Sequence, residues 1–153
     1  MATPFAVADR IAAAPDATLA ADVAGCTADL LAAGETVLEE WLRAHGKEPT
    51  ERRVEGYRLL ALHRQAAGGE PSFNACRESC RELVFQCNMA AAADDAAGRA
   101  RRLRLAAMVA THLALFVAGK LEDAGLGEFC CSSRDLRRRG DAADATNAAL
   151  QES

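Results

Sequence analysis

Apolar residues recur along this chain at the period of an α-helix, and no β-branched run alternates with polar residues over the length of a strand. Leu19, Val23, Cys26, Leu30, Val37 and Trp41 fall within about 40° of Leu19 at about 100° per residue. That stripe predicts one long core-facing helix from a Thr18 N-cap to His45-Gly46. Ahead of it, Pro4 to Ala14 predicts a short lead-in helix broken by Pro15-Asp16. Gly46-Lys47-Glu48-Pro49 is a turn by composition. Thr50 is expected to cap a second helix reaching about Gln65, with Val54, Tyr57 and Ala61 on one face and Leu59, Leu60 and Leu62 spread around it. After the break at Gly68-Gly69-Glu70-Pro71, Ser72 or Asn74 is expected to cap a third helix that decays into Ala90 to Ala93. Asp94-Asp95 opens a last long helix through Leu103, Leu105, Met108, Val109, Leu113, Phe116 and Val117 to Glu122, stopped by Gly125-Leu126-Gly127.

Four substantial helices on short connections predict an all-α fold, an antiparallel bundle of four main helices. Ser132 with Asp135 resembles a capping box, which adds a short C-terminal helix, and the small polar residues from Gly140 onward read as a loose tail. The expected organisation is one domain over residues 1–139 and a tail over 140–153. Composition sharpens this picture: half the residues are hydrophobic but only 5% are aromatic, so the helices should pack closely on alanine. A formal charge of −4 gives no bulk attraction to nucleic acid or to an anionic membrane. Asp9 and Arg10 interrupt the N-terminal apolar stretch before it could serve as a signal peptide, so the expected location is the cytoplasm, where thiols stay reduced. The nearly charge-free segment Leu105 to Gly119 is shorter than the ~18 residues of a spanning helix and reads as a buried core element.

The chemistry is concentrated in the cysteines. Cys76, Cys80 and Cys87 lie within about 40° of one another on a single helix, beside Phe73, Leu83 and Val84, while Arg77, Glu78, Arg81, Glu82 and Asn88 take the opposite side. Three thiols on the buried stripe of a bundle form a candidate site for a thiophilic metal centre: Cu(I), Zn or an iron–sulfur cluster. In an unbroken helix Cys76 and Cys80 have Cα atoms about 6 Å apart, but Cys76 and Cys87 about 16 Å, so one ion cannot collect all three. Cys76 and Cys80 are therefore the first-choice ligands, with Cys130 and Cys131 as the external supply and Cys87, Met108 and His112 as secondary candidates. Met108 and His112 are expected on the buried face of the last helix. The Cys-x-x-x-Cys pair, Cys76 with Cys80, is similar to the pairs of cytosolic copper-storage bundles. That likeness is confined to the pair, and this chain carries far fewer cysteines than such a store, so membership is not implied.

Two further readings use the same residues. In one, the cysteines are small core hydrophobes, as Cys26 is in its Leu/Val stripe, and the working surface is an Arg-rich C-terminal region that meets a protein partner through Arg134, Arg137, Arg138 and Arg139. In the other, the thiols do redox chemistry, with mild oxidation linking Cys130 or Cys131 to Cys76 or Cys80. The arginines beside Cys130 and Cys131 favour thiolate there. His45 and His63 are read as surface or capping residues. No phosphate loop, nucleophile elbow, metalloprotease helix or Glu-x-x-His pair is present, so a familiar enzyme class is not indicated. The basic groups at Arg99, Arg101, Arg102 and Arg104 lack the interleaved aromatics of a single-strand binder, so nucleic acid is not an expected partner, and homodimerisation stays open.

Overall fold

Three helices begin where a side chain accepts one of the first free backbone N–H groups, from Thr3, Asp22 and Asp95. The computed structural model describes residues 3–69 and 71–125. Its elements, in order, are α1 (Pro4–Ala13), α2 (Asp16–Ala21), α3 (Val23–Ala44), α4 (Arg58–Ala67), a 3-10 helix (Pro71–Cys76), α5 (Arg77–Ala92) and α6 (Ala96–Asp123). The fold is all-α: among the described residues there is no strand, only an isolated bridge between Val54 and Tyr57. The chain divides into two compact units, Met1–Val117 and Ala118–Ser153, with the boundary inside α6.

The lead-in helix forms as expected: Thr3 Oγ1 accepts the Ala6 N–H at 3.0 Å and Pro4 stands at the first turn. Its buried Ala8 and Ile11 face α3. The long helix expected from Thr18 is broken at Asp22, where φ −142° and ψ 58° leave helical space. Thr18 lies inside α2, and the α3 cap is Asp22, whose carboxylate accepts the Gly25 N–H at 3.0 Å. α6 opens the same way, with Asp95 accepting the Gly98 N–H at 2.9 Å. In both cases the residue whose N–H is bound is glycine, and the carboxylate lies where a Cβ would stand, 2.2 Å and 2.5 Å from it, so a larger residue there would make the Asp side chain shift. At its other end α3 closes with Gly46 at φ +72°, and Lys47 N–H returns to Leu42 O at 2.8 Å.

The second expected helix starts eight residues later than Thr50, at Arg58. Residues 50–57 instead form a strap with a tight turn, in which Glu55 (φ 55°) and Gly56 (φ 87°) are both left-handed and Val54 and Tyr57 exchange backbone hydrogen bonds. Side chains fix the strap. Gln65 donates to Glu48 O and accepts from Thr50 N–H, both at 2.9 Å, and Arg58 Nε donates to Thr50 O at 2.9 Å. Arg58 also bridges to Glu35 at 3.2 Å and to Glu39, both on α3. Glu55 is held from α5 by a two-pronged pair with Arg81, at 3.0 and 3.2 Å.

α3 packs against α1, α4 and α5, and Gly34 lies where α4 and α5 both press on it. A Cβ there would meet Leu59 and Leu83 methyl carbons, each at 3.1 Å. The core side of α6 within the first unit is built from small residues, Ala100, Ala106, Ala107, Ala110 and Ala114, interleaved with Leu103, Leu113 and Val117. By length and composition α6 could cross a membrane, with mean hydropathy 1.4 over an 18-residue window, of which half is buried within the fold.

Candidate functional site

Phe73 organises the site. Its side chain is fully buried, tilted against Trp41 of α3 with ring centroids 4.6 Å apart and edge-on to Phe116 of α6 at 5.8 Å. With the ring clamped, its carbonyl is held in place and collects two polar side chains. His63 Nε2 lies 2.8 Å from it, and Cys76 Sγ lies 3.3 Å away. A carbonyl oxygen only accepts, so Nε2 carries the proton and Cys76, when neutral, donates its S–H. His63 comes from α4, 7% exposed; Cys76 ends the 3-10 helix and N-caps α5. The expected Ser72 or Asn74 cap is displaced by this 3-10 turn, which carries Phe73 inward and sets Cys76 at the junction. Cys80, one turn into α5, is fully buried and completes the cluster.

Three groups in contact divide their protons unequally. The Cys76 thiol is pulled down to about 6, chiefly because Cys80 hydrogen-bonds to its sulfur; burial opposes this, and His63 adds to it. Cys80 is pushed well above the ordinary thiol value by that same bond and by burial. Burial works against the His63 imidazolium, but hydrogen bonds to Cys76 and to the Phe73 carbonyl outweigh it, so its affinity for the proton rises. The first proton therefore leaves Cys76, whose thiolate accepts from Cys80 S–H, with His63 close by as a further group that favours the charge. Its place at a helix N-terminus favours the same charge.

Of the residues expected to bind metal, Cys76 and Cys80 are brought together. Cys87 is buried farther along α5, where burial alone pushes its thiol up to about 12. Cys26 is buried on α3 and its thiol is raised by burial and by Asp22. Cys130, Cys131 and the arginines at 134 and 137–139 lie outside the described residues. Met108 and His112, expected on the core side of α6, face outward, with Met108 56% exposed. Alanines take the core side because they allow close helix approach, which turns the longer side chains to the surface. His112 borders a cleft with Glu78, Ser79, Glu82 and Val109, away from the thiol pair. Among the described residues, no group of three or more His, Cys, Asp or Glu side chains converges as a metal site.

His63 is the residue that sequence reasoning passed over. Its signal was available: it stands four residues after Leu59 and three before Ala66, both buried, and so shares the core face of α4. It also lines a cleft of about 270 Å³ with Val54, Leu60, Arg64, Asn74, Arg77 and Arg81 among its walls. No family model matches this chain, and no curated protein or solved structure matches it.

Proposed function

We propose that this protein is a thiol–disulfide exchange protein in which Cys76 is the attacking thiolate, Cys80 the second thiol and His63 the group that steadies the thiolate. The observation that carries the reading is geometric: two buried cysteines one turn apart, the first at the N-cap of α5, with Cys76 Sγ and His63 Nε2 meeting on the Phe73 carbonyl at 3.3 and 2.8 Å. In that setting the Cys76 thiol is lowered and the Cys80 thiol raised. In the exchange, Cys76 S⁻ attacks one sulfur of a substrate disulfide RSSR and expels RS⁻, giving a mixed disulfide. Cys80, its proton passing to the expelled thiolate, then attacks Cys76 Sγ and releases the second RS⁻. The protein dithiol is oxidised and one substrate disulfide is reduced to two thiols.

Position helps the second step. Cys76 and Cys80 bracket the first turn of α5, so closing the bond distorts that turn alone, at the end of the helix where the chain passes from 3-10 to α geometry. The four longer helices α3 to α6 are read as an antiparallel bundle around the pair, and a reducing compartment such as the cytoplasm would return it to the dithiol state.

Arg77 lies between the two cysteines, which makes the test direct. Oxidation with limiting diamide, followed by tryptic digestion, should join the peptide ending at Arg77 to the tetrapeptide Glu78–Arg81 through Cys76 and Cys80. Capture of Cys26 or Cys87 while Cys76 and Cys80 stay free would sink the reading. A second reading, a Cu(I), Zn or iron–sulfur centre, draws support from the same thiolate beside a second sulfur, since soft ions select thiolates. Its remaining ligands would come from Cys130 and Cys131. Metal uptake that is lost in a Cys130→Ser, Cys131→Ser variant would favour it over exchange.

A further inference from the structure

The cleft beside His63 has one charge sign. Three guanidinium groups line it, from Arg64 on α4 and Arg77 and Arg81 on α5, together with Asn74 from the 3-10 helix, and no carboxylate is among its walls. Arg81 is paired with Glu55. Arg64 and Arg77 are exposed and make no ion pair among the described residues; Glu55, bonded to Arg81, also acts on Arg64 at longer range, so Arg77 is the less compensated of the two cations at a cleft of about 270 Å³. Guanidinium forks and a side-chain amide around one cavity are the donor set for carboxylate or phosphate oxygens. His63 is common to both places: one of the walls of the cleft and a hydrogen-bond partner of Cys76.

We propose that this cleft binds the anionic end of a small disulfide substrate, and that Arg64 and Arg77 are its recognition residues. This rests on the exchange function for its chemistry, but the binding itself does not need the thiols. The arginines hold a carboxylate group of the disulfide in the cleft lined by His63 and Asn74; Cys76 is 2% exposed and is not among the walls, so its reaction with the held disulfide requires the 3-10 helix that ends at Cys76 to open toward the cleft. Neutral and cationic disulfides lack that hold.

The full chain carrying Cys76→Ser and Cys80→Ser is titrated calorimetrically with glutathione disulfide, a polyanionic disulfide, with inorganic phosphate and neutral hydroxyethyl disulfide as comparison ligands. Glutathione disulfide is expected to bind, and the Arg64→Gln, Arg77→Gln pair to weaken it on the order of tenfold, from two charge-assisted contacts at an exposed site. Phosphate binding equal to that of glutathione disulfide would identify an oxyanion site without a disulfide preference and would overturn the substrate assignment. No binding of glutathione disulfide, or binding unchanged by the arginine substitutions, would overturn the proposal outright. In the protein with its thiols, mixed-disulfide formation at Cys76 should be faster with glutathione disulfide than with cystamine, a cationic disulfide, and the Arg64→Gln, Arg77→Gln pair should compress that ratio. Equal rates with the two reagents would defeat the anion preference while leaving the exchange function standing. Binding without any reaction at Cys76 would defeat the exchange function, and with it the assignment of the bound disulfide as substrate.

Discussion

Replacing Cys80 by alanine and, separately, by serine isolates the interaction that sets the Cys76 thiolate. The first cause of its depressed proton affinity is the hydrogen bond with Cys80. A hydrogen bond to a charged group contributes about 1.5–3 kcal/mol, which at 1.36 kcal/mol per pKa unit is roughly one to two units. Cys80→Ala should therefore move the Cys76 midpoint from about 6 to roughly 7–8. At pH 7 the thiolate population would fall from about nine-tenths to between a half and a tenth. Serine keeps a donor at the same Cβ, so Cys80→Ser should remain near the native midpoint. Both variants delete the sulfur, so the contrast between them separates donation from the packing loss they share.

The assay is the pH dependence of alkylation at Cys76, read by mass spectrometry of the peptide ending at Arg77. The midpoint decides, not the plateau: thiolate nucleophilicity falls with its basicity, so the alanine variant may only be compared where each form is fully ionised. Equal midpoints for the alanine and serine variants, or a native midpoint near the ordinary 9.0, would refute the hydrogen-bond account. Stability carries the same signature. A thiol whose folded value is depressed contributes stability that is lost as pH falls through about 6 and is fully present only above 9.0. Cys80, shifted the other way, subtracts stability once unfolded chains can ionise it, above 9.0. His63, raised above its ordinary 6.5, opposes the Cys76 rise over the range in which it titrates. The Cys76 rise between 6 and 9 should disappear from the denaturant-midpoint profile of Cys76→Ala.

Three other outcomes follow from the packing. Cys87, pushed up to about 12 by burial, should resist iodoacetamide at mildly alkaline pH until the protein is unfolded; rapid labelling of native protein would contradict its burial. Gly34→Ala should destabilise by about 1–3 kcal/mol in urea titration, because its Cβ meets two leucine methyl carbons, each at 3.1 Å, from different helices; an unchanged midpoint would show that α4 and α5 can both give way. Asp22→Ala and Asp95→Ala should each cost about 1 kcal/mol through loss of an N-cap, with the two effects adding in the double variant because the helices they start are separate.

Helical period made the elements legible, and local capping chemistry moved their ends. The stripe Leu19 to Trp41 is continuous in angle, so periodicity alone runs straight through Asp22; what breaks it is a carboxylate that accepts the Gly25 N–H. Asp22 and Asp95 are both good N-cap residues by type, but within a stripe of unbroken helical period nothing marks Asp22 as a start in place of Thr18. The strap over residues 50–57 was hidden for a different reason. Thr50 is an acceptable cap by type, and nothing local says that Arg58 will be drawn to Glu35 and Glu39 on another helix. The dipeptide Glu55-Gly56 was the available warning, since a glycine after a residue able to enter left-handed space permits a tight turn.

The pairing of Cys76 with Cys80 was readable from spacing, whereas the group that gives it chemistry was not. His63 reaches the thiols because Gly68 and Gly69 let the chain reverse between α4 and the 3-10 helix, with Gly69 at φ +78°. That reversal brings a carbonyl ten residues away onto the imidazole. Phe73 looked like one more apolar residue beside the cysteine stripe, yet its clamped ring is what fixes the carbonyl shared by His63 and Cys76. Met108 and His112 failed as candidates through the converse error: spacing placed them one turn apart on a common face but could not say which face α6 would bury. In a helix this rich in alanine the strongest packing comes from the small side, where backbones approach closely, so large apolar residues do not by themselves mark the core. The chemistry of this fold therefore sits where a short 3-10 turn and an aromatic anchor bring a histidine from one helix to the capped end of the next.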